Sequence, residues 1–336
     1  MQTPHTHFAG VATYLPERIV GNEAFADLNL GGDFENEKFF RGVNQRRWAG
    51  PHESSVYMGV KAGRRLLSNL QIDPMSIDLV IASSLIDDYV LPHVACGIQH
   101  GLEASNSSAI TLDTGCASFV SGLIYASALI RSNFFERILL ISVANFAGRV
   151  QGKLKDKSAM IPGDGAAAVL IQAREEGPDG LLGWWERSFG QHYGMFGVHA
   201  FDKNKERTNF WSPHDQIKFG FDPELVDSIK ANARELVPLA MKNALAKSEQ
   251  RIENMDLVLT HQPNRFLIDC WRDAVGAESR QCHDTLERYG NLFQASIPIT
   301  LEDALLRGKL KRGDTVAMSS FAFAGELAAG AVIRWD

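Results

Sequence analysis

The sequence predicts a layered α/β protein whose interior is shared by two similar halves. Three observations lead there. Apolar residues alternate along the whole chain between runs at helical spacing and short continuous runs of strand length. The segment Ile77–Ser83 reads IDLVIAS and Met255–His261 reads MDLVLTH, about half a chain apart, and each follows an amphipathic helix and a short polar stretch. Finally, 336 residues exceed one simple core, yet no low-complexity or Pro/Ser-rich linker divides them. Duplicated halves, expected over 1–175 and 176–336, explain the missing linker, because the two share one core.

Taken in order, Met58–Leu70 has apolar residues at helical spacing, and Leu79–Ser83 follows as a strand. Thr111–Asp113 ends a short strand, and Cys116–Asn133 is a long helical stretch rich in Ala, Ser and Gly. Arg137–Ala144 (RILLISVA) and Ala166–Gln172 (AAAVLIQ) read as strands buried on both faces. Trp184–Ser212, rich in Gly, His and aromatics, has no clear period and is expected to be a long surface segment that links the halves or covers a pocket. In the second half, Ala231–Lys247 reads as a helix, Leu257–Thr260 as a strand, and a helix begins near Pro298.

Composition narrows the function. With 45% hydrophobic and 22% charged residues the chain is neither disordered nor fibrous. A net charge of −6 gives no electrostatic reason to bind nucleic acid or an anionic membrane. No apolar run reaches the roughly 18 residues of a membrane span. The start, MQTPHTHFAG, lacks a basic stretch followed by an apolar one, so no signal peptide is read. Four cysteines without a CxxC pair fit a reducing cytoplasm. No HExxH, CxxC or HxH pair suggests a metal, and Gly163–Gly165 lacks the lysine of a phosphate loop.

Two residues stand where α/β proteins build chemistry. Cys116, in DTGCASF, follows a strand and opens a small-residue helix, so the helix dipole is expected to favour its thiolate. Its alternative is a buried structural cysteine. His261 follows the strand Leu257–Thr260 and opens HQPN, at the carboxyl edge of a sheet. It reads either as a site residue or as a structural histidine. Asn291, in RYGNLFQASIP, reads by itself as a turn residue. The basic stretch Gly152–Ser158 is a solvated loop or a contact for a phosphate.

Together, DTGCASF, PGDGAAAVL, LTHQPNRFLIDCW, ERYGNLFQASIPITLEDALLRGKLKRGD and the final AGAVIRW resemble β-ketoacyl-acyl-carrier-protein synthase III. GVATYLPERIVGNEAF and GVNQRRWA also resemble that family, so the match spans nearly the whole chain in order. The resemblance implies a thiolase fold, two βαβαβαββ halves in a five-layer αβαβα sandwich, assembled as a homodimer. It implies that Cys116 receives an acyl group from a thioester, and that His261 and Asn291 hold a second thioester's carbonyl when malonyl loses carbon dioxide. Oxyanion donors would be the backbone N–H of Cys116 and one from the Phe321–Gly325 loop, at Ala324. No cofactor is implied beyond substrate thioesters of coenzyme A or acyl carrier protein. Each donor to a developing oxyanion is worth about 3–4 kcal/mol.

The chain also departs from the family's pattern. Phe323-Ala324-Gly325 replaces a glycine triplet, and ENEKFFRG lacks the Trp and Arg that sandwich the coenzyme A adenine in primary-metabolic members. Phe266 stands where an arginine meets the carrier protein, with Arg265 one position earlier. Arg265, Lys155 and Lys157 are therefore the expected contacts to phosphopantetheine or carrier. Leu91, in YVLPH, occupies the place of a residue that crosses the dimer into the partner's acyl pocket, and with Phe266 it is expected to line that pocket. The absence of a glutamate at Leu91 argues against pyrone- and olefin-forming chemistry. Three functions follow: a decarboxylative condensing enzyme of specialised metabolism, an acyltransferase to an alcohol or amine, or a catalytically silent subunit of a heterodimer.

Overall fold

Two sheets carry the fold. The computed structural model describes residues 3–25, 42–89, 91–147, 160–201, 207–208, 216–221 and 226–336. The first half begins with β1 (His5–Tyr14) and a two-stranded ribbon of β2 (Ile19–Gly21) and β3 (Gln45–Arg47). It continues through β4 (Leu79–Ser84), β5 (Ser108–Thr111), β6 (Arg137–Ala144) and β7 (Gly165–Arg174). Helices Ser55–Leu70, Val94–Leu102 and Ser118–Arg131 alternate with these strands. The sheet order is β1-β7-β6-β4-β5, with β5, β4 and β6 parallel and β7 antiparallel to both its neighbours.

The second half repeats this plan. It opens with β8 (Leu181–Ser188), followed by a small sheet of β9 (Phe196–Phe201), β10 (Arg207–Thr208) and β11 (Gln216–Phe221). After helix Val226–Lys247 come β12 (Leu257–Thr260), helices Arg265–Val275, Leu286–Tyr289 and Ser296–Leu306, then β13 (Thr315–Phe321) and β14 (Leu327–Arg334). The order β12-β13-β14-β8 reproduces β4-β6-β7-β1. The place of β5 is taken by a single parallel bridge between Val258 and Cys282.

Burial explains the sequence pattern. In β4, Leu79 and Ile81 face the shared core while Val80 and Ala82 face the outer helices, so both faces are apolar and alternation disappears. Helix Ser118–Arg131 buries Phe119, Val120, Leu123 and Ile124 in a cluster that holds Ile138 and Val169 of the first sheet and Leu259, Met318 and Ile333 of the second. Ile297 and Leu301 of helix Ser296–Leu306 join it. These two helices are therefore the middle layer. Helices Ser55–Leu70 and Val94–Leu102 cover the outside of the first sheet, and Val226–Lys247 with Arg265–Val275 cover the second. Helix Ser55–Leu70 is capped by the Ser54 hydroxyl on Tyr57 N–H. At its Gly59 an added Cβ would lie 2.6 Å from Ile98 Cδ1, so the two outer helices meet only because that position is bare.

The result is the five-layer α/β/α/β/α arrangement of the thiolase fold. One expectation is corrected. Trp184–Ser212 is not an irregular segment throughout: Trp184–Ser188 belongs to β8, paired with β14, and Phe196–Phe201 is a strand of the small sheet. Its aromatics hide the alternation because Trp185 packs on the outer helices while Trp184 is exposed. Among the described residues no helix is long and apolar enough to cross a membrane.

Candidate active site

Cys116 lies in a 3-10 turn, Gly115–Ala117, that runs directly into helix Ser118–Arg131. Gly115 takes φ +54, and an added Cβ would meet the Phe323 ring at 2.8 Å, so the turn depends on glycine. Asp113 Oδ1 accepts the Gly115 N–H at 2.9 Å, and Ser320 Oγ donates to the Cys116 carbonyl at 2.8 Å. The second half builds the same device. Its 3-10 turn Phe293–Ala295 runs into helix Ser296–Leu306, Phe293 takes φ +48, and Asn291 Oδ1 accepts the Phe293 N–H at 2.8 Å. DTGCAS and NLFQAS are thus equivalent segments, with Asp113 matched by Asn291 and Cys116 by Gln294. The shared Ala-Ser was the sequence signal for this second turn.

The two turns pack against each other, and Phe293 joins the three candidate residues. Its N–H is held by Asn291, its backbone hydrogen-bonds the His261 imidazole, and its ring packs on Phe146 in the cluster that also holds Cys116. Asn291 is itself pinned between Ile161 and Gly163 by two backbone hydrogen bonds of 2.8 and 2.9 Å. His261 is only 3% exposed. Its N–H donates to Ser319 O at 3.1 Å, which continues the β12–β13 ladder. Phe321 meets its ring edge-on, backed in turn by Trp271. Gln262 fixes the following turn, accepting the Thr285 N–H and donating to Thr300 Oγ1.

Burial decides the electrostatics. The helix dipole is worth at most about 2 kcal/mol to a thiolate, and at Cys116, which is partly buried, desolvation works against it. Desolvation, with the Asp113 carboxylate adding to it, pushes the Cys116 thiol up to about 12 against hydrogen bonds from the Phe323 and Cys116 backbones. The expected thiolate is therefore corrected to a neutral thiol. Burial likewise pulls His261 down to about 3, the Phe293 hydrogen bond opposing it only weakly. Its Nδ1 is buried without a hydrogen-bond partner among the described residues.

The oxyanion assignment to Ala324 is also corrected. The Ala324 N–H donates to Glu326 Oε2 at 2.9 Å, and it is the Phe323 N–H that faces the Cys116 sulfur. Ala324 is not the strained position either: Phe323 (φ +37) and Gly325 (φ +109) are the left-handed residues of this turn. Phe293, Phe323 and Glu326 had no chemical signature in the sequence.

The peripheral candidates separate. Arg265 is not a free cation: it pairs bidentately with Asp284 at 2.7 and 2.8 Å, with its side chain 35% exposed. Phe266 packs against the cluster that holds Trp271 and Phe321, and the Arg234 guanidinium lies 5.2 Å from its centre. Leu91 is 71% exposed in the single chain. Lys155 and Lys157 lie outside the described residues, as does all of ENEKFFRG except Gly42, which abuts Arg265 and Leu286. Among the described residues no group of three His, Cys, Asp or Glu side chains is placed to hold a metal.

The chain is similar to known proteins of one family over most of its length. Residues 111–184 match the family model described as 3-oxoacyl-[acyl-carrier-protein (ACP)] synthase III, and residues 245–335 match the model of its C terminal. The chain is 30% identical to a beta-ketoacyl-[acyl-carrier-protein] synthase III of Nostoc sp., over 100% of this chain and 99% of that one. Its fold is that of the 3-oxoacyl-(acyl carrier protein) synthase III of Pseudomonas aeruginosa, with a TM-score of 0.85 at 21% identity and 98% of both chains covered. The priming beta-ketosynthase of the R1128 polyketide pathway superposes with a TM-score of 0.83 at 23% identity, over 99% of this chain and 97% of that one.

Proposed function

This chain belongs to the 3-oxoacyl-[acyl-carrier-protein] synthase III family, and on that premise we propose that it is an acyltransferase that loads an acyl group on Cys116 and condenses it with a malonyl-type thioester. The observation that supports this most is Phe293, whose backbone ties His261 to Asn291 and whose ring shares a cluster with Cys116. In the first step the Cys116 sulfur attacks the carbonyl carbon of an acyl thioester. The oxygen that gains charge is met by the Phe323 and Cys116 N–H groups, and the departing thiol takes up the proton lost by Cys116. In the second step the malonyl carboxylate leaves as carbon dioxide and its electron pair forms an enolate. The enolate oxygen is held by an imidazole N–H of His261 and the amide N–H of Asn291. The enolate carbon then attacks the acyl carbonyl, the C–S bond breaks, and the Cys116 thiolate that leaves takes a proton from water to restore the neutral thiol.

A buried imidazole that titrates near 3 is a neutral hydrogen-bond donor at pH 7 and a poor acceptor for an alcohol proton. That favours condensation over transfer to an alcohol or amine. Donors are thioesters of coenzyme A or acyl carrier protein, within fatty-acid or polyketide assembly. Leu91 is proposed to reach the acyl pocket of a second copy in a homodimer, where its exposed side chain would find cover.

The test follows acyl-Cys by intact mass with a series of acyl-coenzyme A donors, and carbon dioxide release from malonyl thioester. Cys116→Ala should gain no acyl mass. Asn291→Ala should lose condensation at least about tenfold more than it loses self-acylation, since its amide N–H is assigned to the enolate while its Oδ1 holds the Phe293 turn. Full acylation of Cys116→Ala, or equal losses of both steps in folded Asn291→Ala, would contradict these roles.

A further inference from the structure

The turn between β13 and β14 is closed by hydrogen bonds from Ala322 N to Leu327 O (2.8 Å) and from Gly325 N to Ala322 O (2.6 Å). Phe323, first of its two central residues, is left-handed at φ +37. A turn with that conformation at its first central position ordinarily uses glycine there. Phe323 has a Cβ and a ring, so contacts from outside must hold it. Two side chains grip Ala324, the next residue. Glu326 Oε2 accepts its N–H at 2.9 Å, and Asn232 Nδ2 donates to its carbonyl at 3.1 Å. The N–H groups of Gly325 and Glu326 also approach the Glu326 carboxylate, which sits in a concavity of backbone donors. Glu326 is anchored in turn, since its carbonyl accepts the Phe189 N–H at 2.7 Å at the end of β8, and His192 is the nearby imidazole. Of two successive N–H groups in this turn, that of Phe323 faces Cys116 and that of Ala324 is taken by Glu326.

We infer that Glu326 is a positioning residue for acyl transfer: by holding the Ala324 N–H, its carboxylate keeps Phe323 left-handed and the Phe323 N–H directed at the acyl oxygen on Cys116. This rests on the reading of Cys116 as the acyl carrier. The arrangement accounts for a non-glycine residue, Phe323, at the left-handed first central position of this turn. At Phe323 a side-chain clamp takes the place of a glycine's conformational freedom, while Gly325 keeps its own at φ +109.

The experiment compares self-acylation by hexanoyl-coenzyme A, followed by intact mass on the full chain, for wild type, Glu326→Ala, Glu326→Gln and Glu326→Asp. Glu326→Ala should lower the maximal acylation rate about 10- to 100-fold while the concentration for half-maximal rate stays within about twofold. Glu326→Gln keeps an acceptor oxygen at the same reach and should restore the rate to within about threefold of wild type. Glu326→Asp, one methylene short, should behave like the alanine variant. Alkylation of Cys116 by iodoacetamide forms no oxyanion, so it should change less than about threefold in all variants. An unchanged or faster acylation in Glu326→Ala would overturn the assignment alone, as would parallel losses of acylation and alkylation. A wild type that takes no acyl mass would overturn both the assignment and the reading of Cys116 beneath it.

Discussion

At the residue scale, the site runs on groups kept neutral by burial. The Cys116 thiol is held near 12 and the His261 imidazole near 3, in both cases because a charge would lose its water in the shared core. Neutrality suits a nucleophile that must wait for an acyl thioester, and a donor that must not compete as a base. It also makes a prediction. Below its pKa a thiol gains thiolate tenfold per pH unit, so alkylation of Cys116 should rise by about tenfold per unit from pH 6 to 9 without a plateau. Peptide mapping of iodoacetamide-treated protein checks this, and separates Cys116 from the exposed Cys96. A plateau near pH 7 would mean that the helix dipole outweighs burial after all.

At the element scale, the middle-layer helices decide both packing and chemistry. Helix Ser118–Arg131 is apolar on the faces that meet the two sheets, with Tyr125 and Arg131 exposed along one edge, and the 3-10 turn that leads into it carries Cys116. Its counterpart, Ser296–Leu306, follows the turn headed by Asn291. Side chains that lie between the two sheets, such as Leu123, have no solvent to relax toward. Leu123→Ala should therefore cost about 2–5 kcal/mol in denaturant unfolding. Leu306→Ala, at an exposed position in the partner helix, should cost within about 0.5 kcal/mol. Equal costs would mean that the two sheets do not close on this layer.

At the scale of the whole molecule, the site exists because two copies of one unit face each other. Cys116 belongs to the first half, and His261 and Asn291 to the second; Phe293 connects them across the interface. Folding thus desolvates His261, and the sign of its pH dependence follows. The folded imidazole titrates near 3 and the unfolded one near 6.5, so between these values only the unfolded chain takes the proton. The stability associated with the neutral imidazole is complete above pH 6.5 and declines as pH falls toward 3. Relative to His261→Gln, wild type should lose up to roughly 1.4 kcal/mol per pH unit below 6.5. Urea unfolding of both proteins between pH 7.5 and 4.5 tests it. His7 and His283, whose pKa values are also lowered by burial, cancel because both proteins contain them. A difference that does not change with pH would mean that His261 is hydrated in the folded state.

The strands of both sheets were readable from the chain alone, since β4, β6 and β7 are apolar runs too short for a helix and bounded by polar turns. So was the repeat, because IDLVIAS and MDLVLTH occupy the same place in their halves. The motifs around Cys116, His261 and Asn291 likewise sufficed to identify the family. What the sequence did not determine was which backbone donor serves Cys116, whether its thiol is ionised, and whether Arg265 is free. Each of these depends on how the chain folds back on itself: Phe323 on Cys116, Glu326 on Ala324 across a left-handed turn, Asp284 on Arg265. Local pattern specifies a segment's conformation through its own periodicity and turn chemistry. A charge state or a free N–H is settled only by what burial places beside it, and that is a property of the tertiary structure.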